Sequence, residues 1–520
     1  MAGAAAAAAA DRFSGLPDAV LVRVVSFLPV RDAARTAVLS RRWRPLWLRT
    51  GTLNLDTRSY GRGYAYEIRE PLFRDAGVAL RRLLPPVRSL SLLARRDTGK
   101  ECQELIGVSS YRRSPWEYCN PMTLAPVPRY LDDLLADPAL RRLEELRLRF
   151  EIEEKQSLRY IYELRPEALP GHTLRALDLA CCRIEMPAAG AGAGAAAFPR
   201  LVSLRLDRCS VPVHDLEALT GAAPNLATLR IENLDTFFYD PESDTNYGVR
   251  LALHCPNLTA LHIADTYLLA DVAAPRLRSF SYRGAYTEFT FTADATSLTR
   301  ADVEFSSYSV SEEQELPILI WRCLRSLRHA KMLKLSVVSL EDIVLDKGTQ
   351  GEHLVVFQSL EHLQLEGAVQ SDHGTKDPAD AIAALLQCCP VIHELQLRLK
   401  KDRWSYSERR RGRRKSEFQV SMDLFKGRRS MLNNDDDSYL RVADLQGLSG
   451  CWFNCLHNHL KIVKLQFKLK KLDSFEVSLA KFFAENCKVL EKMQIDDGKQ
   501  NFLDHINRRI EGWRLNANLE

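Results

Sequence analysis

LRALDL at residues 174–179 returns as LVSLRL at 201–206, LATLRI at 226–231 and LTALHI at 258–263, and this phrase decides the fold. Its apolar residues alternate, so a short strand would bury one side and leave residues such as Arg205 and Gln364 on the other, along a concave sheet. Outward from these copies, VRSLSL begins at Val87 and LEELRL at Leu143. Weaker copies begin at Leu277 and Leu298, followed by AKMLKL from Ala330, LEHLQL from Leu360, IHELQL from Ile392, LKIVKL from Leu460 and LEKMQI from Leu490. Most intervals are about 19 to 33 residues, the length of one supersecondary unit in a stacked array. One unit cannot bury its own apolar face, so neighbours must stack and each end needs a cap.

Two further marks accompany the phrase. Cys182 follows Leu179 and Cys209 follows Leu206, where a small polar or thiol side chain can satisfy turn backbone inside the stack. Proline corners precede several strands, at Pro224-Asn225-Leu226, Cys255-Pro256-Asn257-Leu258 and Cys389-Pro390-Val391-Ile392. With these features the array resembles irregular leucine-rich repeats.

Upstream, SGLPDAVLVRVVSFLPVRDAARTAVLSRRWRPLW runs from Ser14. Ser14 or Gly15 can cap a helix with Pro17 in its first turn, and Val20, Leu21, Val24, Phe27 and Leu28 form one apolar face over about three turns. Pro29 stops it, Asp32 can cap a second helix through Val38, and Ser40 a short third one carrying Trp43 and Trp47. Three short helices bury too little surface to stand alone, so the module either closes the array or docks on a partner. Read singly, its Leu and Trp residues suit a cap with an internal core.

Their order says more. The pairs Leu16-Pro17 and Leu28-Pro29, the step Asp32-Ala33-Ala34, and Val38-Leu39-Ser40 before Arg42-Trp43 together resemble the plant F-box. The resemblance implies docking on a Skp-family adaptor through Leu16, Pro17, Leu21, Val24, Leu28, Pro29, Val38, Leu39 and Trp43. The tail CWFNCLHNHLKIVKLQF from Cys451, with FFAENCKVLEKMQI further on, resembles the FBD region that follows such repeats in plant F-box proteins. It implies a terminal repeat pair with a helix between.

The expected fold class is therefore α/β, a short all-α F-box module followed by an irregular solenoid with one short parallel strand plus helix or loop per repeat. The expected segments are an Ala-rich tail at 1–10, the module at 11–50, the solenoid at 51–399 with a flexible glycine-alanine loop at 187–199, a charged insertion at 400–450, FBD-like repeats at 451–500, and a basic helix or tail at 501–520.

Composition sets the outer limits. With 46% hydrophobic and 27% charged residues over 520 positions, the chain is rich enough in apolar side chains for a packed core. No apolar run approaches the roughly 20 residues a bilayer needs, and the alanine tract lacks a basic flank, so neither span nor signal peptide is expected. The 12 cysteines form no dense framework and read as reduced thiols of an intracellular protein, nuclear or cytoplasmic. The net charge of +5 is small for this length and points to no nucleic acid.

Local clusters each have an ordinary reading. Arg409, Arg410, Arg411, Arg413, Arg414 and Lys415 form a basic run that reads as a solvated loop, with nuclear localisation or nucleic-acid contact as the sharper alternatives. Cys451, Cys455, His457 and His459 lack the spacing of zinc-ligand pairs, so no metal is expected. The chain contains no GxxxxGK[ST], GxSxG or HExxH motif, and no catalytic residue or cofactor is expected. By resemblance the protein is a non-catalytic substrate receptor of an SCF-type ubiquitin ligase, joined through its adaptor to cullin and RING subunits, with an unidentified protein target. A repeat scaffold that promotes no degradation is the alternative.

Overall fold

The structure is a computed structural model, and it describes residues 15–61, 63–84, 86–107, 129–152, 160–187, 197–235, 250–266, 269–307, 316–346, 348–369, 377–401, 445, 447–467 and 475–496. Two compact units divide it, Met1–Tyr247 with Leu253–Leu258, and Gly248–Ala252 with Thr259–Glu520. The division falls inside the stretch 51–399 that the sequence reading treats as one array.

In the first unit the strands are β1 (Thr52–Asp56), β2 (Ser89–Arg96), β3 (Glu145–Ile152), β4 (Tyr162–Leu164), β5 (Ala176–Ala180), β6 (Cys182–Ile184), β7 (Ser203–Asp207) and β8 (Thr228–Glu232). β1, β2, β3, β5, β7 and β8 pair in that order, every pair parallel. From β2 onward each of these strands begins two residues after the leading residue of a quoted phrase, and that residue is itself buried, as at Val87, Leu143, Leu174, Leu201 and Leu226. Register places Leu53, Leu90, Leu146, Leu177, Leu204 and Leu229 in one row and Leu55, Leu92, Leu148, Leu179, Leu206 and Ile231 in the next. No member of either row is more than 2% exposed. Each such side chain contributes about 1.5–3 kcal/mol of burial, which is why the phrase keeps its leucines.

β4 and β6 form a separate parallel pair. They arise because the chain turns at a left-handed residue just after β5, Cys181 with φ 59°. Arg208, Asn233 and Asp265 repeat that conformation, with φ 49°, 51° and 51°, each directly after a strand. Stacking holds them there, since the N–H of Cys181 donates to the Asp207 carbonyl (2.9 Å) and that of Arg208 to Glu232 (2.8 Å). The Cys182 and Cys209 thiols reach strand-end carbonyls at 3.5–3.6 Å, as their position in the phrase predicts. The proline corners carry a further device: Asn225 donates through Nδ2 to the Pro199 carbonyl (2.7 Å), and Asn257 to that of Pro224 (3.0 Å).

The chain continues through β9 (Arg250–His254), β10 (Ala260–Ala264), β11 (Leu269–Ala273), β12 (Ser279–Ala285), β13 (Phe289–Phe291), β14 (Arg300–Ser307), β15 (Met332–Ser339), β16 (His362–Val369), β17 (Glu394–Lys401), β18 (Ile462–Gln466) and β19 (Lys492–Asp496). In the second unit β10, β12 and β14 to β19 form an uninterrupted parallel ladder in chain order, and β11 pairs with β13. The weak copies at Leu277 and Leu298 are strands β12 and β14. Their inward positions hold Phe280, Tyr282, Ala301, Val303 and Phe305, and the rings of Phe280 and Phe289 lie 4.8 Å apart, so an aromatic cluster replaces the leucine rows. At the end, β18, a helix over Phe475–Asn486 and β19 match the expected terminal pair with a helix between.

The N-terminal module departs from the sequence reading in its helices. α1 covers only Asp18–Val25, about two turns rather than three, and Pro17 occupies its N-cap in place of Ser14 or Gly15. α2 covers Val30–Arg35 and continues as a 3-10 turn over Thr36–Val38, so Pro29 starts the helix and Asp32 stands in its first turn. Asp32 is held instead by Ser59, whose Oγ donates to it at 2.7 Å. No α-helix starts at Ser40, where the sequence predicts a short third helix. Trp43 lies in successive turns, and Trp47 opens a 3-10 turn over Trp47–Arg49. The N-caps of both α-helices are prolines, whose side chains satisfy no orphan N–H, so tertiary contacts rather than capping hold these helices.

Candidate functional site

Those contacts come from β1 and the turn after it. Asn54 Nδ2 donates to the carbonyls of Ser26 (2.7 Å) and Leu28 (3.2 Å), which close the end of α1. Arg31 donates to the Ser59 carbonyl (3.0 Å) and lies over the Tyr60 ring. Arg42 ties the module's last turn to its beginning, donating to the Leu16 carbonyl and to Asp18 Oδ1 (2.8 Å). Leu21, Val25, Val30, Ala33 and Leu46 are buried by this arrangement.

The opposite side is open. Val20, Val24 and Phe27 follow one another at helical spacing and are 43%, 40% and 69% exposed, while Val38 and Leu39 reach 88% and 67%. Among the expected docking residues, Pro17, Val24, Val38 and Leu39 are exposed. Leu16, Leu28, Pro29 and Trp43 are half-buried, and Leu21 is fully buried inside the module. Val20 and Phe27 were not among the expected docking residues, although both stand on the apolar face that the sequence predicts for the first helix. Arg23 lies over the Phe27 ring, 5.0 Å from its centroid.

The outward positions of the strands form the second surface. In the first unit Arg149 bridges Asp178 (2.9 Å) and Asp207 (3.1 Å), and Arg205 and Arg230 both hold Glu232, at 3.0 and 2.5 Å. Burial alone would push the Glu232 carboxyl up; the two guanidiniums overcome it and hold the group down at about 2. In the second unit Glu394 accepts from Lys464 Nζ (2.5 Å) and lies 3.2 Å from His362 Nδ1, and the Lys464 hydrogen bond keeps its pKa below the usual range.

The remaining sequence candidates resolve individually. Cys455 is buried with its thiol 3.6 Å from the Leu386 carbonyl, Cys451 is exposed, His457 stacks on the exposed Trp452, and His459 meets His393 edge to face. No group of three or more His, Cys, Asp or Glu able to hold a metal occurs among the described residues. The described cysteines are all free, and burial pushes the thiols of Cys102, Cys209, Cys323 and Cys388 up to about 12, which makes them poor nucleophiles. The basic run Arg409, Arg410, Arg411, Arg413, Arg414 and Lys415 lies outside the described residues, as do the 1–10 tail and 501–520. No described helix is long and apolar enough to cross a membrane.

Parallel strands delivered one per repeat, with a helical module before them, define a leucine-rich-repeat protein with an N-terminal helical module. Comparison with known families bears out the finer resemblance. The F-box domain profile matches residues 13–51, the profile described as FBD-associated F-box protein At5g56370, LRR repeats, matches 131–280, and the FBD profile matches 450–495. The chain thus matches F-box, leucine-rich-repeat and FBD domain profiles in that order.

Relatives in Arabidopsis thaliana are named accordingly. The F-box/FBD/LRR-repeat protein At4g00315 is 43% identical over 89 residues, 16% of this chain and 19% of that protein. The F-box/FBD/LRR-repeat protein At4g00160 is 46% identical over 50 residues, 10% of this chain and 11% of its own length. The FBD-associated F-box protein At4g10400 is 36% identical over 83 residues, 16% and 20% of the two chains. The alignments thus span a fifth or less of these relatives. Among solved structures, an internalin from Listeria monocytogenes aligns over 61% of this chain and 76% of its own at 13% identity, with a TM-score of 0.27.

Proposed function

We propose that this protein is a non-catalytic substrate-recognition subunit of an SCF-type E3 ubiquitin ligase, acting in the nucleus or cytoplasm. The F-box module binds a Skp-family adaptor and through it the cullin and RING subunits, and the outward sheet positions bind a target protein. The supporting observation is exposure: β1 and its turn hold the module by hydrogen bonds, while Val20, Val24, Phe27, Val38 and Leu39 remain open. A module that only capped the array would have no reason to keep five large apolar side chains in water. Catalysis is then proximity, the receptor raising the effective concentration of target lysines near a charged conjugating enzyme.

Co-expression of the full chain with a Skp-family adaptor tests this reading. A stoichiometric complex is expected from the native chain and not from a folded variant with Val24, Phe27, Val38 and Leu39 replaced by serine. Absence of a complex with every adaptor tried would sink the receptor assignment and leave a repeat scaffold.

A further inference from the structure

Across β14 to β19 the outward residues Asp302, Lys334, Gln364, Gln396, Lys464 and Gln494 stand side by side in register. Adjacent members are about 4.8 Å apart along the ladder. The ends of this row are occupied by ion pairs: Arg300 holds Asp302 at 2.9 Å, and Lys464 holds Glu394 at 2.5 Å with His362 beside it. Between them lies a shallow depression lined by Met332, Lys334, His362, Gln364, Glu394 and Gln396.

Its centre is unsatisfied. Among the described residues Lys334 makes no ion pair, and neither the Gln364 nor the Gln396 side-chain amide has a hydrogen-bond partner. All three are half-buried and neighbours in register, so donors and acceptors without a protein partner are gathered at one place. Met332, two residues before Lys334 on the same strand, adds an apolar surface that is 43% exposed. With Arg300, Asp302, Glu394 and Lys464 neutralising one another, Lys334 is the one uncompensated charge of the depression among the described residues.

We infer that this depression binds an extended segment of the target protein that carries an Asp or Glu beside an apolar residue. The inference rests on the receptor reading and names its substrate class. The carboxylate pairs with the Lys334 ammonium, the apolar side chain covers Met332, and the peptide backbone crosses Gln364 and Gln396. A primary amide offers one donor and one acceptor edge to a peptide group, which suits a backbone of any sequence. From Lys334 to Gln396 is about 9.6 Å, two strand spacings, the length of roughly three extended residues. Specificity then resides in the acid and apolar positions, and the amides supply sequence-independent grip.

An array of eight-residue peptides tests the inference with the full chain alone, so that its outcome is independent of adaptor binding. Each peptide carries Asp or Glu, the amide isostere Asn or Gln, or Lys at one position, next to Leu. The native chain is expected to retain the acidic peptides roughly fivefold to tenfold better than their amide isosteres. K334Q should abolish that difference, K334E should reverse it in favour of Lys peptides, and Q364L/Q396L should weaken every peptide alike. Equal retention of acidic and amide peptides, or an acid preference that survives K334E, would overturn the proposal. So would displacement of the acidic peptides by inorganic phosphate at matched ionic strength, which would assign the site to a small anion.

Discussion

Arg42 donates to Asp18 at 2.8 Å across 24 residues of sequence, and the same guanidinium reaches the Leu16 carbonyl. One side chain thereby fixes the start of α1 against the turns that end the module. Both partners of the ion pair are partly exposed, at 36% and 49% of their side chains, so the pair itself is worth no more than about 1 kcal/mol. Its effect is on geometry, because α1 begins at a proline cap that leaves its first N–H groups to tertiary partners. R42M is expected to shift global stability by less than about 1 kcal/mol yet to weaken the adaptor complex several-fold. Denaturant unfolding and a titration of the adaptor, run on the same preparation, read the two effects separately.

Buried and open residues of the module should part company on mutation. L21A opens a cavity under α1 and should cost about 2–5 kcal/mol, losing adaptor binding because the module loosens. V38E changes a side chain that is 88% exposed and should leave stability within about 0.5 kcal/mol while binding falls more than tenfold. Thermal unfolding of each variant beside its adaptor affinity checks the split; a V38E chain that binds normally would remove Val38 from the docking surface.

The corner asparagines stitch successive turns of the first unit together. Asn257 to the Pro224 carbonyl is a single bond from side chain to backbone, and N257A should lower stability by about 0.5–1.5 kcal/mol. N225A should behave alike through the Pro199 carbonyl. Because both lie at strand entrances, hydrogen exchange should quicken first at the amides of β8 and β10, the strands that follow these corners.

Glu232 makes the first unit acid-sensitive. Its folded pKa of about 2 lies below the ordinary 4.5, so its contribution is fully present above about pH 4.5 and is lost as pH falls toward 2. E232Q should therefore lower stability at pH 7 by no more than about 2 kcal/mol, and the difference from the native chain should close between those two pH values. Unfolding curves at pH 7, 4 and 2.5 would show whether the gap narrows in that direction.

Gly367 shows how tightly β16 is packed. A Cβ placed there would lie 2.8 Å from Leu340 Cδ2 and 3.0 Å from Val337 Cγ2. G367A is expected to cost about 1–3 kcal/mol by overpacking, and L340A in the same chain should recover part of that loss. A double-mutant cycle measured by urea unfolding gives the coupling directly.

The repeat array was legible because its signal is repeated and chemically simple: two inward leucine or isoleucine residues and a buried leading residue recur at Leu143, Leu174, Leu201 and Leu226, and each copy becomes a strand. Where aromatics take the inward places, as at Phe280 and Tyr282, the same strands read as weak copies. β4, β6 and β13 were not legible. Three-residue strands carry no periodicity of their own, and they exist only because the stacked turns bring them together. The left-handed exits at Cys181, Arg208, Asn233 and Asp265 escaped for the same reason, since none is a glycine and the N–H groups of Cys181, Arg208 and Asp265 donate to carbonyls of the next repeat.

By itself the sequence determined the domain order, the strand period and the family of the N-terminal module, because these depend on residue types at fixed spacing. Only the tertiary structure decided which apolar residues of that module are core and which are surface. Leu21 and Val24 read alike on a helical face, yet one is fully buried and the other 40% exposed, because Asn54 on β1 takes the end of α1 from one side only. The same holds for Lys334. Its outward position follows from alternation, but its lack of a partner follows from Arg300 and Lys464 having taken the neighbouring carboxylates, and that choice is made between strands, where sequence spacing carries no information.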